Sequence, residues 1–290
     1  METCTVESGP SAGRMRLRIY EAVFLTTGAG AFLALCVKGG GHWAVRAEVL
    51  AGTLLYLGGF VYLPWAEGPC RERLTLCANY LFAVWFYGAS SRITAALGCV
   101  TIDGSLLAFD RKLFGETPAV MFAHWAQPWL SDIMGFCYLS YLVYLHVAVI
   151  WAVFRAPEDI RRFSSALFPG FAVGFAAYLL LPALGPGAAF PGLFAAPIAV
   201  GALTRLNDFV VGTSNAIYGT FPSLHLLITL LLMDHDWREC RIRFWWMLGP
   251  AAGLVLSTMY LRYHYATDLL AGLIVFYLLK TAHLRWKTYL

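Results

Sequence analysis

Apolar residues gather along this chain in long runs, not at the alternating spacings of a half-buried strand or a soluble amphipathic helix. Eight runs stand out, at about 19–37, 49–66, 74–91, 136–154, 166–183, 222–234, 244–262 and 268–281. Most approach the roughly 20 residues a helix needs to cross a hydrocarbon core of about 30 Å. The sixth and eighth are shorter, and the pattern predicts that both helices extend into flanking polar sequence. The fold class read from this is all-α, a polytopic membrane bundle of about eight transmembrane helices. Residues 1–18 are polar and predict a disordered cytoplasmic N-terminus, leaving 19–290 as a single integral-membrane domain.

Two segments between runs are too long to be simple connectors. Residues 92–135 mix apolar stretches with Asp103, Asp110, Arg111, Lys112 and Asp132 and with Trp125, Pro128 and Trp129, and predict interfacial helices. The charged side chains there read as surface or interfacial structure. Residues 184–220 open on Gly185-Pro186-Gly187 and Pro191-Gly192 and continue into an apolar patch over 193–203, either a lid or a lipid entry surface. Arg205 and Asp208 in this segment read most simply as an ion pair. The aromatic runs from Phe82 to Tyr87 and at Phe244-Trp245-Trp246 are expected to face lipid.

Composition agrees with a bilayer as solvent: 59% of the residues are hydrophobic and 13% charged, against about 25% charged in an ordinary soluble domain. With the N-terminus inside, the cytoplasmic segments hold 14 of the 21 lysines and arginines, which places both termini in the cytoplasm. The net charge of +4 is then topogenic and calls for no nucleic-acid partner. Arg14, Arg16 and Arg18 precede the first run as in a signal peptide, and Ala29-Gly30-Ala31 resembles a cleavage site. The run continues to about Val37, however, and predicts a retained first span. The seven cysteines lie mostly in apolar stretches without C-x-x-C or zinc-type spacing, and neither a metal site nor a cofactor is indicated.

Three features meet on the same external face of this topology. Gly185-Pro186-Gly187 follows the fifth span, Phe221-Pro222-Ser223-Leu224-His225 opens the sixth, and Tyr260 to Asp268 joins the seventh to the eighth. Pro222 suits the first turn of a helix. Ser223 and nearby amides then lie at a helix N-terminus, which attracts phosphate through free donors and the helix dipole. If the chain is helical from His264, Asp268 lies one turn on, on the same face. A carboxylate there can take the proton of one imidazole nitrogen and free the other for attack on phosphorus. His225 can protonate the leaving oxygen.

These residues resemble the type 2 phosphatidic acid phosphatase superfamily, and more closely its inositolphosphotransferase branch, typified by inositol phosphorylceramide synthases. The likeness runs from about Asp103 onward, where the stretch Asp103 to Pro118 looks like that branch's segment before the catalytic core. The resemblance implies a six-helix phosphatase-like core, with His264 as a nucleophile forming a phosphohistidine, Asp268 as its partner, His225 as general acid, and Ser223 holding phosphate. The chain departs from the superfamily pattern by lacking the Lys/Arg-rich first motif and by reading Ser257-Thr258 where Ser-Arg is expected. Arg262 and Arg205 are the candidate replacements for phosphate binding. Arg262 has a simpler reading as an interfacial anchor beside Tyr260, Tyr263 and Tyr265.

Fewer fixed cations suit a singly charged phosphodiester better than a phosphomonoester. The function expected is therefore a lipid phosphotransferase moving a phosphorylated head group, with inositol phosphate the candidate, between lipid donor and acceptor. The alternative within the superfamily is a lipid phosphate phosphatase. A transporter is the different-class alternative, but it would need polar residues at the midplane as well as on one face.

Overall fold

The computed structural model describes residues 17–62, 68–198, 200–214 and 216–288. The expectation for residues 1–18 falls mostly on residues 1–16, outside this set. Among the described residues the chain is helical, without strands. The helices are α1 (Ile19–Lys38), α2 (Trp43–Tyr62), α3 (Gly68–Leu97), α4 (Asp103–Phe114), α5 (Pro118–Ala123), α6 (Pro128–Val153), α7 (Pro157–Leu180), α8 (Pro186–Ala189), α9 (Ala202–Ser214), α10 (Leu224–Glu239), α11 (Arg241–Tyr260) and α12 (Ala266–Thr288). Among the described residues, each of the eight apolar runs falls mainly on its own long helix, with 63–66 of the second run outside the described set. Of these, α1, α6 and α7 are long and apolar enough to cross a membrane.

Local sequence explains the boundaries. The Glu21 carboxylate in the first turn of α1 accepts the Arg18 backbone N–H at 2.8 Å, one half of a capping box. Pro118, Pro128 and Pro157 open α5, α6 and α7, where a missing N–H costs nothing. The sixth and eighth runs do extend into polar sequence: α10 reaches Glu239 and α12 reaches Thr288. The 92–135 segment is shorter than predicted as a separate unit. Helix α3 runs on to Leu97 and α6 starts at Pro128, so only 98–127 connects them, carrying α4 and α5.

Helix α7 is the hub, packing against α1, α3, α10 and α12, while α10 also packs on α11 and α12. Gly174 lets α10 approach α7, because a Cβ there would run into the Leu224 side chain. The interior is aromatic. Phe24, Phe82, Phe86 and Phe175 from α1, α3 and α7 are buried, with ring centroids 5.0 Å (Phe24–Phe82), 5.4 Å (Phe82–Phe86) and 5.2 Å (Phe86–Phe175) apart. The expectation that the Phe82–Tyr87 run faces lipid is thus wrong for Phe82 and Phe86, which fill the seam between three helices. Trp245 and Trp246 do lie exposed on α11, as do Val143 and Ile150 on α6.

Candidate active site

The site is assembled where the N-termini of α10 and α12 meet. Ser223 caps α10, its Oγ accepting the Leu226 N–H at 3.4 Å. Pro222 precedes this cap, so it lies just outside the first turn predicted for it. The Ser223 N–H donates to the Asp268 backbone carbonyl at 3.0 Å, which locks the start of α10 to the first turn of α12. His264 sits on the short loop from α11. Both the Tyr263 and His264 N–H groups donate to the Thr258 carbonyl, at 2.9 and 3.1 Å. Helix α12 begins at Ala266, not at His264. The expected pairing still forms, because the Asp268 carboxylate turns back to the Tyr265 N–H (3.0 Å) and to His264 Nδ1 (3.2 Å).

His225, on the first turn of α10, places Nδ1 at 3.2 Å from His264 Nε2. Its other nitrogen, Nε2, lies 2.9 Å from the Tyr138 hydroxyl of α6. The result is an unbroken file of groups: Tyr138, His225, His264, Asp268. Ser223, His225, His264 and Asp268 are all buried. Burial pushes the His264 imidazole down to about 3, against a backbone hydrogen bond at Thr220 that favours the charged form. His264 is therefore a neutral imidazole at neutral pH, with a lone pair on Nε2 when Nδ1–H faces the carboxylate. The two imidazole nitrogens are in direct contact. A phosphorus atom bonded to His264 Nε2 has room only once they part.

Asp103 and Asp110 overturn the surface reading given to them above. Both are buried, seven residues apart on one face of α4. Asp103 accepts the Leu184 N–H (3.1 and 3.0 Å), the Gly185 N–H (2.9 Å) and the Tyr265 hydroxyl (3.0 Å). Asp110 accepts the Ala266 N–H (3.1 Å), the Thr267 N–H (2.9 Å), the Thr267 hydroxyl (2.7 Å) and the Thr117 hydroxyl (2.7 Å). One helix thus braces both chain segments that flank His264. Gly185 has φ +86°, and a Cβ there would overlap the Tyr263 carbonyl, so this turn accepts only glycine. The Arg111 side chain does stay on the surface, pairing with Glu116 at 2.9 Å.

The two candidate arginines are not brought to the histidines. Arg262, at φ 64°, donates Nη2–H to the Ala196 carbonyl at 2.9 Å and stacks on Phe194 with 4.1 Å from its guanidinium carbon to the ring centre. Arg205 is exposed on α9. The Arg205–Asp208 ion pair does not form. Asp208 instead accepts the Tyr263 hydroxyl at 3.3 Å, and that hydroxyl also accepts from Asn207 Nδ2 at 2.9 Å. Tyr263 thereby hooks α9 to the residue next to His264. Among the described residues, no three His, Cys, Asp or Glu side chains converge as metal ligands. Tyr138, Asp103 and Asp110 were missed as functional neighbours; for the two aspartates the i, i+7 spacing on an amphipathic helix was the available signal.

With the geometry in place, comparison with known proteins identifies the class. The model of the PAP2 superfamily matches residues 104–282, from the first turn of α4 to near the end of α12. This chain belongs to the PAP2 superfamily, whose members are phosphatases or phosphotransferases. No curated protein matches it. No solved structure matches either.

Proposed function

We propose that this chain is an integral-membrane lipid phosphotransferase working through a phosphohistidine on His264. The observation that carries the reading is the contact file His225–His264–Asp268, with the nucleophilic nitrogen facing the acid and the other facing the carboxylate. In the first half-reaction, the His264 Nε2 lone pair attacks phosphorus. The bond to the leaving oxygen breaks, and His225 Nδ1 supplies that oxygen's proton. Asp268 holds the Nδ1–H of His264 and stabilises the positive charge that grows on the ring. In the second half-reaction an acceptor hydroxyl attacks, His225 takes its proton, and the N–P bond breaks. The Ser223 hydroxyl and the N-terminal turn of α10 would hold the phosphoryl oxygens.

Eight spans with both termini in the cytoplasm, the topology that the charge distribution along the sequence supports, would put this chemistry on the extracytoplasmic or lumenal face. The scarcity of cations around the histidines favours a singly charged diester, and hence transfer of a phosphorylated head group such as inositol phosphate. Both donor and acceptor would be lipids.

A radiolabelled head-group donor supplied without acceptor should leave label on the wild-type protein, acid-labile as a phosphoramidate is, and none on His264→Ala. Added lipid acceptor should discharge the label into a new lipid. Release of free phosphate at the same rate without acceptor would make the protein a phosphatase of the same superfamily. A fully active, unlabelled His264→Ala protein would end the phosphohistidine reading.

A further inference from the structure

The proposed acid, His225, has a partner that none of the motifs includes. Tyr138 lies in α6, 87 residues upstream, and its hydroxyl sits 2.9 Å from His225 Nε2, buried in the bundle. The two rings also pack, with centroids 4.8 Å apart, and Tyr141 closes the other side of the imidazole at 4.9 Å. His225 can therefore neither swing nor flip without losing both its hydrogen bond and its ring contacts.

We infer that Tyr138 is the positioning residue of the general acid, holding His225 with Nδ1 aimed at the leaving oxygen in both of its protonation states. This rests on the function proposed above. The reasoning is a proton count along the file. With Asp268 ionised and accepting the Nδ1–H of His264, the His264 Nε2 is bare and accepts. His225 Nδ1 then carries the hydrogen that points at it. If His225 is neutral, its Nε2 is also bare and needs a donor, which the Tyr138 hydroxyl supplies. If His225 is charged and about to give up its Nδ1 proton, Nε2 carries a hydrogen and needs an acceptor, which the same oxygen supplies after its O–H turns away. A hydroxyl serves both states, and a bare phenyl ring serves neither. After transfer, the Nε2–H to Oη bond persists and Nδ1 is left bare, which is the form required to take a proton from the acceptor alcohol. No proton is lost or created: one leaves His225 with the first product and one returns from the acceptor.

Tyr138 also joins the acid to the outer face. Its ring lies 5.0 Å from that of Tyr263, whose hydroxyl holds Asn207 and Asp208 of α9. The ring contact supports the tyrosine in the orientation that the hydrogen bond needs.

The test exploits the fact that a proton donor matters only when the leaving group is a poor one. Tyr138→Phe keeps the ring packing and removes the oxygen. With a lipid donor, whose leaving group is an alcohol, kcat should fall by on the order of 10²-fold, within the span ascribed to general acid–base catalysis, with KM little changed. With an aryl phosphodiester carrying a nitrophenolate leaving group, formation of the phosphoenzyme should fall less than about threefold. His225→Ala should show the same split, more steeply, while a residue that merely stabilises the bundle would lower both rates together. Should the phenylalanine variant fold poorly, a fluorinated tyrosine incorporated at position 138 keeps the hydroxyl in place while making it a stronger donor and a weaker acceptor. It should change the alcohol reaction and leave the nitrophenolate reaction alone. Equal losses on both substrates, or no loss on the lipid donor, would overturn the assignment.

Discussion

Removing the Asp110 carboxylate should disable the site from a distance, and the size of the effect can be worked from its four hydrogen bonds. Asp110→Ala takes the acceptor from the Ala266 and Thr267 amides, which sit 3.1 and 2.9 Å from its oxygens at the buried start of α12. Each buried donor left without a partner costs about 1–3 kcal/mol. A carboxylate at a helix N-terminus adds roughly 0.3–1 kcal/mol through the dipole. The Thr117 and Thr267 hydroxyls can turn to other acceptors, so they contribute little. The sum is about 2–7 kcal/mol, a large share of the roughly 5–15 kcal/mol that holds a domain folded. Activity should suffer beyond stability, because Ala266 is two residues from both His264 and Asp268. A displacement of about 1 Å there costs on the order of 10²-fold in rate. The assay is thermal unfolding of the purified protein in detergent, with turnover measured per folded molecule at a temperature where the variant remains folded. Asp110→Asn keeps one acceptor oxygen and should fall between the wild type and the alanine variant. Glu116→Gln, whose partner Arg111 is exposed, should change neither quantity. Wild-type stability and turnover in Asp110→Ala would refute the bracing role.

The remaining expectations concern single groups. His264, held at about 3 by burial, should show the ¹⁵N signature of a neutral imidazole at pH 5, and titration near its ordinary 6.5 would contradict the buried geometry. Because the unfolded chain takes up that proton and the folded one does not, this contribution to stability is complete above pH 6.5 and is lost progressively as pH falls toward 3. Gly185→Ala should lose most activity, since the backbone at φ +86° strains any side chain by about 1–3 kcal/mol and the new methyl meets the Tyr263 carbonyl; wild-type kinetics would show that the turn relaxes freely. Ser223→Ala removes a cap whose bond is long at 3.4 Å, so unfolding should shift by less than about 1 kcal/mol while the rate of phosphoenzyme formation drops at least tenfold; an unchanged rate would remove Ser223 from phosphate binding. Tyr263→Phe should release α9, seen as faster hydrogen exchange over residues 202–214, and unaltered protection there would mean that Asn207 and Asp208 do not hold the helix through that hydroxyl.

The long helices were legible because their signal is one-dimensional: apolar runs of spanning length need no partner to be recognised. The pairing of His264 with Asp268 was legible because the two lie four residues apart, although the helix starts only at Ala266 and the Asp268 carboxylate reaches back to His264 from its first turn. The sequence misled where burial depended on a distant partner. Asp103 and Asp110 look like surface charges in an amphipathic segment, because the amides they satisfy belong to residues 184–185 and 265–267. Phe82 and Phe86 look lipid-facing, because in a membrane an apolar residue can face either the bilayer or another helix. Tyr138 carries no local pattern at all. Its role is set by α6 crossing near the start of α10, a tertiary fact with no counterpart in spacing.

The absent cations acquire a structural meaning from the same contacts. Among the described residues, no lysine or arginine hydrogen-bonds to Ser223, His225, His264 or Asp268, and the guanidinium nearest in sequence, Arg262, is turned onto Phe194 and Ala196. The first-turn donors of α12 are already taken, Tyr265 by Asp268 and Ala266 and Thr267 by Asp110. In the first turn of α10 the Leu226 N–H is likewise taken, by Ser223 Oγ, so what remains beside the histidines is the Ser223 hydroxyl proton and the dipole of α10. A helix N-terminus offers about half a positive charge. That compensates a single phosphate charge far better than two, in a buried setting where each uncompensated charge is expensive. Two carboxylates, Asp103 and Asp110, stand behind the loop as well, and they penalise a dianion further. A monoester would have to arrive protonated or bring its own countercharge, whereas a diester need do neither. On the function proposed above, the electrostatics of the buried site suit a singly charged diester better than a dianionic monoester.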